Sequence, residues 1–335
     1  MGADAADTSR ATTGHDSPAS DELQDAAATF VAARRRLFGI AYRILGSAAD
    51  AEDVVQDTWM RWQTTDRSVV ANPQGFLTTV TTRLAINVLQ SARTRRETYT
   101  GPWLPEPVDT SADPTLGAER AEALDVAVLV LLERLRPPER AAYVLREAFG
   151  YGYPEIAEIL DTSPTATRQL VSRARKHVSE PRTTAGTVTS EARRELLTAF
   201  VTAARAGDVE GLERLLAADV VSRADSDGTV KQVARVAVTG RHKVARVLSA
   251  FAETFWEGVA VRPLEVNGMS ALGLERADDL IGVLVVRSSA EGIEELMWQM
   301  NAAKLTTLRR SRAGHPGVAG TEGITGPGAP STPHS

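Results

Sequence analysis

Residues 153–178 read YPEIAEILDTSPTATRQLVSRARKHV, and the stretch divides into two short helices around a tight break. Pro154 suits the first turn of one helix. Ser163-Pro164 supplies a cap and a first helical residue for the next. Only Leu160-Asp161-Thr162 lie between them, which is the spacing of a helix-turn-helix. On the second helix Thr167, Val171, Ala174 and Val178 recur at steps of four, three and four, so they share one buried stripe. The opposite face carries Arg168, Gln169, Ser172, Arg175 and Lys176, with Arg173 flanking. Such side chains reach phosphates and base edges, and a major groove admits a helix of this width. A plain amphipathic core helix with a solvated basic face competes with that reading, and the rest of the chain decides between them.

Upstream, residues 21–99 form a three-helix domain. The first helix begins at Asp21, carries Leu23, Ala27, Phe30, Val31, Leu37, Phe38, Ala41 and Leu45, and stops at Gly46-Ser47. The second runs from Ala48 to about Gln63, with Ala51, Val54, Val55, Thr58, Trp59 and Trp62 inside and Asp50, Glu52, Asp53, Gln56 and Asp57 outside. Asn72-Pro73 opens the third, PQGFLTTVTTRLAINVLQSARTRR, whose polar face holds Arg83 and Asn87 and whose end is basic at Arg93, Arg95 and Arg96. Residues 100–113 are a linker, because three prolines in TGPWLPEP forbid a continuing helix. Trp103 and Leu104 make it an apolar linker, suited to docking on a surface rather than to a free tether. Helices over Leu116–Arg136 and Pro137–Gly150 join the helix-turn-helix in a second domain, residues 114–180.

A second linker, PRTTAGTVT at 181–189, precedes a change of character. Residues 190–308 read as helices Glu191–Ala206 and Val209–Ala217, then Val220–Val221 and a loop around Asp225-Ser226-Asp227-Gly228. A β-like run Val230–Val238 and a helix Arg241–Trp256 follow. Four strands close the unit as an antiparallel meander: Val259–Val266, Ser270–Arg276, Leu280–Arg287 and Ile293–Met300. This is an α+β pattern. Residues 1–20 and 309–335 lack apolar periodicity and are expected to be disordered.

The 335 residues carry a net charge of −5, which at first argues against nucleic acid. The sum conceals segregation: residues 1–29 hold six acids against Arg10, while Arg93–Arg96 and Arg168–Lys176 are cationic. Local charge decides phosphate binding. The absence of cysteine excludes disulfides, thiolate metal sites and cysteine nucleophiles. The five histidines have no ligand spacing, so no metal or cofactor is expected. No run of about 18 apolar residues exists, and MGADAADTSR lacks the pattern of a signal peptide. A cytoplasmic chain away from membranes is the expectation.

The segments DAEDVVQDTWMRWQ and NPQGFLTTVTTRLAINVLQSARTRR, with the helix-turn-helix, resemble bacterial sigma factors of the extracytoplasmic-function class, which keep two helical domains called regions two and four. Residues 191–308 resemble a SnoaL-like, NTF2-fold cone, and a sigma factor so extended is similar to the SigJ-type subgroup. Trp103-Leu104-Pro105-Glu106-Pro107 matches that subgroup's WLPEP linker motif in full. Its DGGGK motif is partly kept at Asp227, Gly228 and Lys231, and its NPDKL motif at Asn301, Lys304 and Leu305.

The resemblance implies a multidomain fold, two all-α sigma domains followed by an α+β cone. It implies that the acid face of the second helix docks the clamp helices of core RNA polymerase, that region four meets the polymerase flap, and that both helical domains bind promoter DNA. Region two, with loop Thr64–Asn72, would trap melted bases of the minus-ten element. The basic helix would read the minus-thirty-five element, with Arg168 and Gln169 best placed for bases. The cone would pack on both domains through the WLPEP linker and regulate them in place of a separate anti-sigma protein. A small-molecule ligand of the cone stays open. Enzymatic action is not expected: the acids Asp219, Asp225, Asp227, Asp278 and Asp279 sit in turn-like contexts without a His–Asp pair. Two rival readings remain, a helix-turn-helix regulator with a ligand domain and a SnoaL-type enzyme fused to DNA-binding domains.

Overall fold

The computed structural model describes residues 18–97, 99, 101–110, 126–178, 190–228, 230 and 234–314. The expectations for 1–17, 116–125 and most of the tail, and the candidate Lys231, lie outside them. Helices α1 (Pro18–Leu45), α2 (Ala48–Thr64) and α3 (Pro73–Glu97) form the first unit. Gly46 takes φ +69 just beyond α1, where its N–H donates to Tyr42 O at 2.6 Å. Ser47 then caps α2, its Oγ accepting from the Asp50 N–H at 3.2 Å. Ala26, Phe30, Ala33 and Leu37 pack against Val55, Trp62 and Leu77. Burying an indole such as that of Trp62 removes about 200 Å² from water, ~5 kcal/mol on area bookkeeping. Its Nε1–H is satisfied by Ala26 O at 3.0 Å.

The second unit holds α4 (Val126–Leu132), α5 (Pro137–Tyr143) with a π-helical continuation Val144–Ala148, α6 (Tyr153–Ile159) and α7 (Pro164–Val178). Ser163 Oγ accepts from the Ala166 N–H at 3.1 Å, the cap its position before Pro164 predicts. The buried residues of α7 are Thr167, Val171, Ala174 and Val178, as the periodicity requires. The two units do not keep separate cores. Ile40, Leu45, Val54 and Leu84 of the first join Leu129, Leu145, Ile156 and Val171 of the second in one cluster.

The third unit runs α8 (Ser190–Ala206), α9 (Val209–Leu215), β1 (Leu216–Asp225), β2 (Val238–Thr239), α10 (Arg241–Ala250), α11 (Ala252–Trp256), β3 (Val259–Val266), β4 (Met269–Arg276), β5 (Asp279–Ser289), β6 (Gly292–Gln299) and α12 (Thr306–Gly314). The sheet order is β2-β1-β6-β5-β4-β3. The last four strands are the expected antiparallel meander, but β1 adds to β6 in parallel, pairing Ala224 with Trp298 and Asp225 with Gln299.

Five expectations are corrected here. The helix expected through Ala217 ends at Leu215, and Val220–Val221 is the middle of a ten-residue strand. That strand exists because β6, some 75 residues away, supplies its ladder, which no local pattern shows. Of the run Val230–Val238, only Val238 enters a described strand. The Arg241–Trp256 helix breaks at Phe251. Residues 309–314, read as tail, extend α12: Arg309 Nε donates to Leu280 O at 3.0 Å, and Arg312 meets Glu275 at 2.6 Å. Those are long-range polar anchors and leave no apolar period.

Strand alternation gives the sheet two working faces. Leu272, Leu284, Val286, Leu296 and Trp298 face α8–α11, packing with Phe200, Val201 and Val244. Ala271, Val283, Val285 and Met297 face the other way, onto Leu104, Val126, Leu305 and Leu308. The linker and α4 are therefore built onto the outer face of the cone.

Candidate nucleic-acid interface and interdomain clasp

The linker's contacts centre on Asp225, whose side chain is wholly buried. The sequence placed it in a turn; it is instead the last residue of β1, on the face opposite the cone interior. Its Oδ2 accepts from the Leu104 N–H at 2.8 Å and from Lys304 Nζ at 2.6 Å, and its Oδ1 accepts the Tyr99 hydroxyl. Lys304 Nζ also donates to Leu104 O at 2.8 Å and lies 4.0 Å from the centre of the Trp103 ring. Gln299 Nε2 donates to the carbonyls of Leu104 and Pro105 at 3.3 and 3.2 Å. Asn301 Nδ2 donates to the Tyr99 oxygen at 2.8 Å. Burial, with the Asp225 hydrogen bond and charge behind it, pushes the Tyr99 hydroxyl well above the usual tyrosine range. Tyr99 thus remains a donor to that carboxylate.

Glu106 extends the clasp into the first unit. Its Oε2 accepts from the N–H groups of Ala48 and Ala49 at 2.8 and 3.2 Å, while Oε1 accepts from Thr307 Oγ1 at 2.8 Å. One linker carboxylate therefore sits on the positive end of α2 and also holds the cone's last helix. Tyr42 donates to Glu106 O at 2.6 Å and accepts from Asn267 Nδ2 at 2.6 Å. Asn267 is at φ +56 in the β3–β4 turn, and it exchanges hydrogen bonds with the Val108 backbone, N–H to Val108 O at 2.9 Å and Oδ1 from the Val108 N–H at 3.0 Å. The matched motif residues Trp103–Pro107, Asn301, Lys304 and Leu305 are thus brought together. Asp227 is exposed and Gly228 half-buried in the turn beyond β1. Tyr42, Tyr99, Asn267 and Gln299 were not singled out from the sequence. Asn267-Gly268 between two strands is a hairpin signal that marks the turn; nothing local marks its docking role.

The candidate DNA residues divide. On α7, Gln169, Ser172 and Lys176 are exposed, and Arg168 lies over the Tyr153 ring at 5.4 Å. Arg173 turns back to Glu139 at 2.9 Å and Arg175 to Glu147 at 2.8 Å. On α3, Asn87 is exposed. Arg93, Arg95 and Arg96 fall within the helix, but their side chains lie outside the described residues. Arg83, itself exposed, reaches across to the second unit: Nε donates to Ile159 O at 2.9 Å and a terminal nitrogen to Glu158 O at 3.2 Å, at the end of α6. On α2, Glu52, Asp53, Gln56 and Asp57 are exposed and Asp50 partly so, with Glu52 paired to Arg34 at 2.5 Å.

Further contacts lock the two helical units together. Arg140, 1% exposed, pairs with Glu133 and donates Nε to Arg43 O at 3.0 Å, in the last turn of α1. Arg36 lies over the rings of Phe149 and Tyr151 at 5.4 and 5.0 Å, and the Tyr151 hydroxyl is 3.1 Å from that of Thr78. Among the described residues there is no group of three or more acidic or histidine side chains able to hold a metal. No described helix is long and apolar enough to cross a membrane.

Comparison with known proteins fits this architecture. The family profile for Sigma-70 region 2 matches residues 29–95, and that for Sigma-70 region 4 matches 125–178. The extracytoplasmic-function RNA polymerase sigma factor SigJ of Mycobacterium tuberculosis is 42% identical over 233 residues, covering 69% of this chain and 74% of that protein. A probable sigma factor of the same class and genus, SigI, is 33% identical over 202 residues, covering 59% of this chain and 69% of its own length. The crystal structure of Mycobacterium tuberculosis SigJ superposes with a TM-score of 0.65 at 35% identity, over 84% of this chain and 98% of that one. The third unit is accordingly the SnoaL-like, NTF2-like cone. Two sigma domains clasped to such a cone by a WLPEP linker place the chain in the extracytoplasmic-function RNA polymerase sigma factors, of the SigJ type.

Proposed function

We propose that this sigma factor is held closed by its own cone and must open before it can read both promoter elements. Sigma factors of this family bind core RNA polymerase and promoter DNA; the finer assignments are ours. The acid face of α2 (Asp50, Glu52, Asp53, Gln56, Asp57) suits the basic clamp helices of polymerase, and region four would meet the flap. α3 (Arg83, Asn87, Arg93, Arg95, Arg96) would hold the melted minus-ten strand, and α7 the minus-thirty-five element. The observation that carries the closed reading is Arg83 bonded to the α6 carbonyls. The two elements lie about 25 base pairs apart, ~85 Å along B-form DNA. Two domains in direct hydrogen-bond contact, one through a residue assigned to DNA, do not span that distance.

The cone stabilises the closed form by holding the linker on both domains. It does from within the chain what a separate anti-sigma protein would do from outside. Its buried carboxylate, Asp225, faces the linker rather than the cone interior and is paired with Lys304, which favours a clasp over a catalytic base. Phosphoryl-transfer chemistry and its metal belong to the polymerase.

Run-off transcription with core polymerase tests this. Trp103→Ala removes the ring over Lys304, a contact of about 1–2 kcal/mol when desolvated. Transcript yield at limiting polymerase is expected to rise about 5- to 30-fold. An unchanged yield overturns regulation by the clasp.

Base reading is tested separately by footprinting on matched and scrambled upstream elements. Arg168→Ala is expected to weaken binding on the matched element by about 1–3 kcal/mol and to erase the preference. Lys176→Ala is expected to weaken both alike. Equal losses for Arg168→Ala on the two DNAs exclude base readout by that residue.

A further inference from the structure

Between the sheet and α10–α11 the cone holds a half-open cavity of about 50 Å³, lined in part by Ala234. Phe251, Phe255, Trp256 and Trp298 supply its rings, and Ser222 and Ala224 its floor. Among the described residues its wall carries no charged side chain, so an ion entering it would lose hydration with nothing to replace it. One polar group is available. Ser222 Oγ accepts from Trp298 Nε1 at 3.2 Å, and its own hydroxyl proton remains to be donated.

The floor of this cavity is also the back of the clasp. β1 and β6 pair Ala224 with Trp298 and, one residue on, Asp225 with Gln299. Successive side chains point to opposite faces of a sheet. Ala224 and Trp298 therefore line the cavity, while Asp225 and Gln299 hold Leu104 and Pro105 on the far side.

We propose that the cavity binds an uncharged, single-ring aromatic compound with one hydrogen-bond acceptor, and that its entry loosens the linker clasp through the β1–β6 pair. An apolar cavity of about 150 Å³ accommodates one benzene ring, so a ring entering here has to move a wall. Its acceptor, taken by Ser222, sets it against Trp298 and the strand floor. Close-packed interiors transmit such strain, and the next residues along both strands are the clasp. The ligand then selects the open sigma factor by its differential affinity for the two states. This proposal rests on the reading that the clasp holds the closed form.

The experiment uses the full chain, with phenol, toluene and benzoate as probes. Binding is measured by calorimetry, and hydrogen exchange is measured over residues 101–110. Phenol is expected to bind more tightly than toluene, benzoate not at all, and saturating phenol to speed exchange at the Leu104 amide about tenfold, within the usual range of coupling between sites. Ser222→Ala is expected to remove the preference for phenol over toluene while both still bind. Failure of phenol to bind, binding of benzoate as tight as that of phenol, or binding without faster exchange each overturns the proposal. Lys304→Ala separates this from the clasp itself. If that variant speeds Leu104 exchange while phenol does nothing, the clasp stands and the ligand site falls. If it leaves exchange unchanged, the clasp reading fails first.

Discussion

Asp225→Ala is expected to raise hydrogen exchange at the Leu104 amide by about two to three and a half orders of magnitude, without melting the helices of the sigma domains. The carboxylate accepts from Leu104, Lys304 and Tyr99 at once, and none of its surface is exposed. Removing one member of a buried ion pair costs about 3–5 kcal/mol, because the remaining charge keeps its burial and loses its partner. Each 1.4 kcal/mol is about a factor of ten, which sets the expected range. Asp225→Asn also removes the charge facing Lys304 but keeps the shape and one acceptor oxygen, so its effect should be smaller than that of Asp225→Ala. Asp279→Ala is the control: its pair with Arg309 is 61% exposed on the aspartate side, and such pairs contribute under about 1 kcal/mol. Equal exchange rates in the wild type and Asp225→Ala would mean that the linker is held by its apolar residues alone.

The helices that define this chain were legible because their signals are local. The α7 stripe, its Ser163 cap, the Gly46-Ser47 stop and the acid face of α2 all follow from residues within one or two turns. The meander strands were legible for the same reason, since period-two alternation lies within each strand. What escaped depends on partners far along the chain. β1 is a strand only because β6 lies beside it. Asp225 reads as a turn acid until the linker, more than 100 residues earlier, arrives to bond it. Arg83 carries the same lesson for the site. Its place on the polar face of α3 suggests DNA, and its partners in the closed molecule are carbonyls of region four. Both statements hold if the residue changes partners on opening, a switch that no pattern within one helix can reveal.

Arg140→Ala tests the direct contact between the sigma domains. Its guanidinium is almost wholly buried, pairs with Glu133 in region four and donates to Arg43 O at the end of α1. A cation beside the last carbonyls of a helix is favourable, and truncating a buried charged partner costs about 3–5 kcal/mol. Not all of that falls on the interface, because Glu133 belongs to the same domain as Arg140. A share of about 2–3 kcal/mol shifts the closed-to-open ratio by ~30- to 150-fold. The chain has no cysteine, so Gln63→Cys and Thr165→Cys, both exposed, label one site in each domain for single-molecule energy transfer. The wild-type background is expected to show one high-transfer population that empties when core polymerase is added. With Arg140→Ala a low-transfer population should stand without polymerase. Circular dichroism at the wild-type level excludes loss of region four as the cause, and Tyr151→Phe, which removes only the hydroxyl facing Thr78, should give a smaller shift in the same direction. A chain that stays wholly in the high-transfer state despite Arg140→Ala would leave the cone's grip on the linker as the restraint that opening must break.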